Sequence, residues 1–378
     1  MVTEVVVQRT GLEGQGVAFD GAGNIYFVPG VIPGDRIRVE FSPTQKRYRD
    51  AVFLELLEAS PQRQDPGCAY FQDCGGCDWL HWDYAGQLLA KESVLKHVLQ
   101  RSALTPHEFL PMLRSPDIYG YRNRIQLRRK AGKVGFFRRK THEIVDVERC
   151  RVAHPKLNEE IAHIRTEKPP ARSEGDDDGE KIELMVNGDN SVARVYNSPH
   201  GILGFRQVNS GQNEALREML RSHLVASQSR LILELFCGNG NLTFAFAGEV
   251  GVEKVLGIDS SYQAIEQANA RRAETGRSNI QFLTSEIRPA TSEKLPAAFK
   301  GRYDTLVLDP PRQGAGNSLE FFVHPNLKNI FYISCSPLTF TQDVKFLNDQ
   351  GFAFVLIQPV DMFPHTRHIE LFAKFSRP

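Results

Sequence analysis

The sequence predicts a parallel-rich, doubly wound α/β sheet, preceded by a small all-β barrel and a cysteine-bearing central region. Three observations carry this reading. Residues 201–378 alternate the strand-like runs LILELF, VLGID, IQFLT, TLVLD, NIFYIS, FAFVLIQPV and IELFAKF with helical or turn segments, the pattern of repeated βαβ units. Residues 1–58 hold short β-branched runs broken by glycine (TEVVVQRT, GVAFDGAGNIYFVPG, DRIRVEF, DAVFLELLEAS), which suits a barrel of about five strands. Residues 59–200 begin with the linker-like PQRQDPG. They then carry three close cysteines, and Leu88, Leu89, Val94, Leu95, Val98 and Leu99 in helical spacing.

The chain of 378 residues, 41% hydrophobic and 24% charged, is long enough for two or three domains with their own cores. Disordered, collagen-like and disulfide-stapled classes are excluded. Its apolar runs fall short of the roughly 20 residues that span a bilayer, so no membrane partner is expected. Glu4 interrupts the apolar N-terminal stretch and no small-residue cleavage site follows, which argues against a signal peptide. The expected compartment is the cytosol, where six cysteines read as metal ligands or nucleophiles rather than bridges.

Charge is informative locally. The net charge is only +1, yet residues 114–140 carry ten basic side chains against Asp117 alone, with Tyr119, Tyr121, Phe136 and Phe137 interleaved. Cations for phosphates beside rings for bases suit single-stranded RNA. Arg128, Arg129, Arg138 and Arg139 are the expected contacts. The acidic run EGDDDGE (residues 174–180) reads as an exposed loop.

In LILELFCGNGNLT a buried strand ends at Phe236, and the turn Gly238-Asn239-Gly240 opens a helix. Glycines there let the backbone approach a ligand closely. A dinucleotide fingerprint wants a third glycine where Thr243 stands. Asp259 closes the following strand, placed to accept from two ribose hydroxyls. S-adenosylmethionine therefore fits better than NAD. Asp309, in DPPR, ends another strand and is stiffened by Pro310 and Pro311.

Cys335 follows NIFYIS directly. Phe236, Asp259, Asp309 and Cys335 thus all fall at strand carboxyl ends, the edge that carries the crevice in open α/β sheets. Cys237 reads as a core residue. Glu370 begins the last strand and would join the same edge if that strand runs antiparallel. A thiolate and a base suit methylation of a pyrimidine at carbon 5. Thiolate addition at carbon 6 makes carbon 5 nucleophilic, and the base then removes the carbon-5 proton.

Cys68, Cys74 and Cys77 are spaced C-x5-C-x2-C, and Cys150 ends the basic segment. Four thiolates suit zinc or a 4Fe-4S cluster. One close pair rather than two favours iron–sulfur, in a structural role.

Taken together and in this order, these motifs resemble the RumA/TrmA class of RNA 5-methyluridine methyltransferases, most closely its RumA-like branch acting on 23S ribosomal RNA. The resemblance covers essentially the whole chain. It implies a Rossmann-like class I methyltransferase domain over residues 201–378. It also implies an OB-like TRAM barrel over 1–58 and a small α+β iron–sulfur domain over 59–200. CAYFQDCGGC implies Cys68, Cys74, Cys77 and Cys150 as 4Fe-4S ligands. FRQVN, ELFCGNGNLT, VLGID and DPPRQG imply cofactor contacts from Gln207, Phe236, Gly238, Gly240, Asn241, Asp259 and Asp309. SCSP and HIE imply Cys335 as nucleophile and Glu370 as base. The chain departs from the family pattern in three ways: Asp259 where glutamate is frequent, Ser336 where asparagine is frequent, and a short central region. A carbon-5 target inside folded RNA implies a flipped uridine; no protein partner is implied. The rivals are transfer RNA as substrate, cytosine-5 methylation, NAD-dependent hydride transfer (disfavoured by Thr243), and a non-catalytic RNA-binding assembly factor.

Overall fold

The computed structural model describes residues 1–43, 47–167, 178–197 and 207–377. They form two compact units that interleave along the chain. The first holds Met1–Val94, Asp117–Pro199 and Phe363–His368; the second holds Leu95–Pro116, His200–Met362 and Ile369–Pro378. The expected boundary at residues 200/201 lies outside the described residues.

In the first unit, β1 (Val2–Thr10), β2 (Gly16–Phe19), β3 (Ile25–Val28), β4 (Arg36–Phe41) and β5 (Tyr48–Glu58) close into a barrel in the order β1-β2-β3-β5-β4. Period-2 alternation turns Val5, Val7, Ile37 and Val39 inward. The chain leaving the barrel is anchored by Asp35, which is fully buried. Its carboxylate accepts from Ile32 N (2.8 Å), Ser60 N (3.1 Å) and both Nε and Nη2 of Arg63 (2.8 Å each).

Helix α1 (Tyr84–Arg101) realises the leucine spacing and belongs to the first unit through Val94. The short β6 (Glu108–Phe109) belongs to the second unit. The basic segment forms a hairpin of β7 (Arg124–Lys130) and β8 (Lys133–Phe137), followed by β9 (Ile144–Asp146) and α2 (Pro155–Thr166). With β10 (Glu180–Val186) and β11 (Val192–Tyr196) they make a five-stranded sheet, ordered β11-β10-β7-β8-β9. Leu157, Ile161 and Ile164 of α2 cover Leu127, Ile182 and Leu184 of that sheet.

Two expectations for this region need correction. Glu180 does not lie in an exposed loop. It opens β10, is buried, and pairs with Arg129 through Nε at 2.7 Å. Arg129 is buried too, so it is a structural cation rather than a phosphate contact. The reason is register: β7 and β10 run antiparallel with Arg129 opposite Glu180, where opposite charges attract. Residues 174–177 lie outside the described residues.

In the second unit, α3 (Ser210–Ala226) precedes β12 (Leu231–Leu235), α4 (Thr243–Phe246), β13 (Lys254–Asp259), α5 (Tyr262–Thr275), β14 (Ile280–Thr284), α6 (Pro289–Glu293), β15 (Thr305–Leu308), β16 (Asn329–Ser334), α7 (Pro337–Asp349), β17 (Ala353–Val360) and β18 (Glu370–Ser376). The sheet order is β14-β13-β12-β15-β16-β18-β17-β6. Strands β12 to β16 pair in parallel, and β18 runs antiparallel to both neighbours. This is the doubly wound class expected, and strand order reverses at β12/β15. Near-continuous apolar strands bury both faces, with Leu233, Leu256, Leu306, Tyr332 and Phe375 in one core. Among the described residues no helix is long and apolar enough to cross a membrane.

Removing the Asp35 carboxylate leaves a guanidinium and two backbone N–H groups without their acceptor. Asp35→Ala is expected to cost about 3–5 kcal/mol, read from denaturant unfolding of the full chain; a loss under about 1 kcal/mol would show that the anchor contributes little.

Candidate active site

The second unit gathers the expected site residues at the carboxyl edge of its parallel strands. Phe236 leaves β12 with φ +63°, a conformation that strains a non-glycine residue. It is half-buried and packs on the core. The turn that follows is pinned by Gly240 N to Cys237 O (2.9 Å) and Cys237 N to Ile258 O (3.1 Å). Gly238 N donates to Asp259 Oδ2 at 2.9 Å, and Ser261 N donates to Asp259 Oδ1 at 2.8 Å. Gly238 has φ +54° and open space where a Cβ would stand, whereas at Gly240 (φ +78°) a Cβ would meet the Phe244 ring at 2.8 Å. The first glycine keeps space beside the backbone clear, and the second permits packing.

Gln207 lies just before α3, half-buried. The start of α3 reaches the glycine turn through Asn213, which exchanges side-chain hydrogen bonds with Asn241 at 2.8 and 3.1 Å. Arg217 Nε also donates to Asn241 O at 3.1 Å. The Asn241 amide is therefore engaged with α3. Cys237 is buried, and burial drives its thiol well above the usual range, as a core residue requires.

The antiparallel last strand settles where Glu370 stands. Ser334 of β16 pairs with Leu371 of β18. Cys335 is the first residue beyond β16 and Glu370 the first of β18, so both stand at the same edge, and Glu370 is close enough to raise the thiol. Glu370 is 4% exposed. Burial, reinforced by Asp309 and opposed by Arg312, raises its carboxyl to about 8. Burial alone lifts Asp309 to about 7. Cys335 is pushed to about 11 by burial and by Glu370, with Asp309 adding to the rise and Arg312 opposing it. The Arg312 guanidinium thus acts on the thiol and on Glu370, which is held largely protonated near neutrality, while Asp309 is about half ionised there.

Sequence reasoning passed over several residues here. Glu234, in the middle of β12, is 1% exposed; burial raises it to about 8, Thr243 donates to its Oε2 at 2.5 Å, and its Oε1 has no partner. A charge inside LILELF was the available signal. Arg312, which follows the two prolines of DPPR, is a second such residue. Asp343 and Thr339 of α7 hold its loop. Asp343 accepts from Ala315 N (2.9 Å), Gly316 N (3.0 Å) and the Tyr332 hydroxyl (2.5 Å), and Thr339 Oγ1 donates to Arg312 O (3.0 Å). Because α7 starts two residues after Cys335, these bonds tie the arginine loop to the thiol's own helix. No short sequence pattern announces such ties.

The four remaining cysteines lie in the first unit. Cys68, Cys74, Cys77 and Cys150 all line one cavity of about 260 Å³, together with Arg122. All are free thiols. Gly76 N donates to the Cys74 sulfur at 3.4 Å, and the N–H groups of Val152 and Ala153 lower Cys150 against the rise that burial imposes. Burial pushes Cys77 up to about 12, with Arg122 opposing. Among the described residues no group of three His, Cys, Asp or Glu side chains is arranged to hold a metal ion. The fit to a larger group therefore rests on the donor set, the cavity and the N–H···S bonds.

Comparisons with known proteins bear on family and fold. Residues 180–375 match the family described as tRNA (Uracil-5-)-methyltransferase. An RNA methyltransferase of Nitrosomonas europaea is 32% identical over 93% of this chain and 91% of the relative. The 23S rRNA (uracil(1939)-C(5))-methyltransferase RlmD of Xanthomonas oryzae pv. oryzae is 30% identical over 97% of this chain and 95% of its own. The crystal structure of Pyrococcus abyssi tRNA (uracil-54, C5)-methyltransferase with S-adenosyl-L-homocysteine is similar at TM-score 0.68 and 25% identity, over 99% of this chain and 100% of that one.

Two outcomes test the electrostatics. Alkylation of Cys335, followed by peptide mass spectrometry, is expected to rise with pH toward a midpoint near 11. Arg312→Ala should slow it at pH 8.5, and Glu370→Gln should speed it. Second, the folded protein holds the Glu370 proton between the ordinary carboxyl value of 4.5 and about 8, where an unfolded chain has released it. Stability must therefore fall as pH rises through that window. Glu370→Gln should be more stable than the parent at pH 8.5, with the difference vanishing near pH 4.5.

Proposed function

The chain belongs to the tRNA (uracil-5-)-methyltransferase family, and from that premise we propose that it methylates uracil at carbon 5 in RNA, with ribosomal RNA the substrate. The observation that carries the reading is the placement of Cys335, one residue past the end of β16, at the edge where Glu370 opens the antiparallel β18, with Glu370, Asp309 and Arg312 all near enough to shift the thiol. Ribosomal RNA is favoured because a 23S rRNA (uracil-C(5))-methyltransferase aligns over nearly the full length of both chains. Transfer RNA is the second reading, supported by the similarity to the archaeal transfer-RNA enzyme.

S-adenosylmethionine, when bound, supplies an electrophilic methyl group. The open space beside Gly238, the half-buried Asp259 carboxylate and the unpartnered Glu234 Oε1 suit such a ligand; Gln207, Phe236, Gly240, Asn241 and Asp309 complete the proposed cofactor set. The protein's own steps follow from its side chains. The Cys335 proton must first pass to solvent, and the Arg312 charge favours the thiolate that remains. The sulfur then bonds uracil carbon 6, and the ring's π electrons move toward the carbon-4 carbonyl, so that carbon 5 becomes nucleophilic. Once carbon 5 carries the methyl group, Glu370, whose own proton must first have passed to solvent, takes the remaining carbon-5 proton as a carboxylate. The electrons of that C–H bond restore the double bond and expel the Cys335 thiolate. A buried target requires the uridine to be flipped, at a cost of a few kcal/mol.

The first unit supplies binding in this reading. The closed five-stranded barrel is an OB-like module similar to TRAM domains. Cys68, Cys74, Cys77 and Cys150 hold a 4Fe-4S cluster that cross-links the hairpin to the cysteine loop. The protein is cytoplasmic, where these thiols stay reduced. The three-domain division (1–58, 59–200, 201–378) is the functional one proposed.

RNA carrying 5-fluorouridine at the target should accumulate a covalent adduct with the parent protein and none with Cys335→Ala, because fluorine cannot leave as a proton. Glu370→Gln should lower kcat about 10²–10⁴-fold and trap adduct on ordinary uridine RNA. Product nucleosides read by mass spectrometry must be 5-methyluridine; 5-methylcytidine would transfer the reading to the cytosine class, and RNA affinity without any methylated product would favour an assembly factor. Visible iron–sulfur absorption, lost in Cys74→Ser, is the expected signature of the cluster; a colourless, zinc-containing protein would refute it.

A further inference from the structure

A second feature of the first unit is not used by the reaction. A cleft of about 1290 Å³ lies among the barrel, the cysteine loop and the tip of the basic hairpin. Its cations are Arg63, Arg138, Arg139, Lys140 and Arg367, against Glu13, Asp50 and Asp78. The arginines are largely engaged: Arg63 with Asp35, Arg138 with Asp73, and Arg139 and Arg367 with Asp78. Among the described residues Lys140 has no ion-pair partner. Phe27, Phe53 and Phe71 add aromatic faces to the same walls.

His81 also lines this cleft. It is 4% exposed, yet neither ring nitrogen has a hydrogen-bond partner. Its ring lies tilted against Phe71, with centroids 5.2 Å apart. Burial, reinforced by the Arg63 charge, lowers it to about 4, so the ring is neutral at physiological pH. A neutral imidazole offers one N–H donor and one lone-pair acceptor. A phosphate has no donor for that lone pair, whereas the edges of nucleobases commonly carry donors and acceptors side by side. Two unmade hydrogen bonds on one buried ring are unusual in a native fold and need an explanation.

We propose that this cleft is a second nucleotide pocket, which takes an unpaired RNA base other than the methylated uridine. His81 hydrogen-bonds the base edge, Phe71 lines the stack, and Lys140 meets the backbone phosphate. The inference rests on the RNA-methylation reading and deepens it. The pocket gives the enzyme a contact that recognises a flanking unpaired base.

The test uses the full-length, cluster-loaded protein and a fluorescein-labelled, uridine-free octaribonucleotide of mixed A, C and G. His81→Phe keeps a ring against Phe71 and removes both nitrogens. Its Kd for the octamer should rise about tenfold, with an unchanged or higher Tm, because an unsatisfied buried group has been removed. Lys140→Ala should reduce the salt slope of binding by about one. In the parent protein, the His81 ring ¹⁵N resonances should move when the octamer is added, a readout independent of any variant. Parental affinity in His81→Phe, or resonances that stay fixed, would overturn the pocket. Formation of 5-methyluridine by the same preparations separates the two readings. Methylation intact with His81-independent binding sinks the pocket alone, while His81-dependent binding with no methylated product supports the pocket and sinks the reaction.

Discussion

Antiparallel pairing of the last strand against β16 is the constraint on which the candidate chemistry depends. Four parallel pairings set the carboxyl ends of β12 to β16 along one edge. A further parallel strand would have put Glu370, at its beginning, on the far edge. Reversal brings the start of β18 beside the end of β16. The antiparallel register thereby brings Glu370 to the edge where Cys335 stands, one residue past the end of β16.

That placement is electrostatically expensive, and the protein answers it with protons. Half-buried Asp309 and fully buried Glu370 are raised by desolvation to about 7 and 8. Glu234 behaves likewise at the heart of β12. Carboxyls kept neutral cost far less to bury than carboxylates. The free protein thus carries acid groups poised near neutral pH, which is where proton transfer is most effective. Arg312 opposes the rise at both Cys335 and Glu370, and its loop is held by Asp343 and Thr339 rather than left free.

The first unit handles its charges differently. The basic segment looked like a band of cations available to phosphates, but pairing across the sheet and with the cysteine loop engages much of it. Arg124 meets Glu183, Arg129 meets Glu180, Arg138 meets Asp73 and Arg139 meets Asp78. Composition counts charges without their partners, so it overstates what is free to bind RNA. The surfaces left for a nucleic acid are fewer and more specific, and they combine aromatic faces with individual cations.

Much of the protein was legible in the chain alone. Local periodicity determined the barrel, a helix from about residue 84 to 100 and the strands from LILELF to IELFAKF, because burial on one or both faces must repeat with strand or helix spacing. The residue types at strand ends likewise marked Asp259, Asp309 and Cys335, since the ligand edge of a parallel sheet follows from topology. What the sequence could only state conditionally was Glu370, whose place hinged on strand direction. It missed Glu180 as the partner of Arg129, Asp343 as the tie of the arginine loop, and His81 as an unsatisfied ring. Those properties depend on residues 51, 28 and about 10 or more positions away. Strand direction, charge pairing and the burial of single polar atoms are decided by which distant segments meet, and only the tertiary structure brings them together.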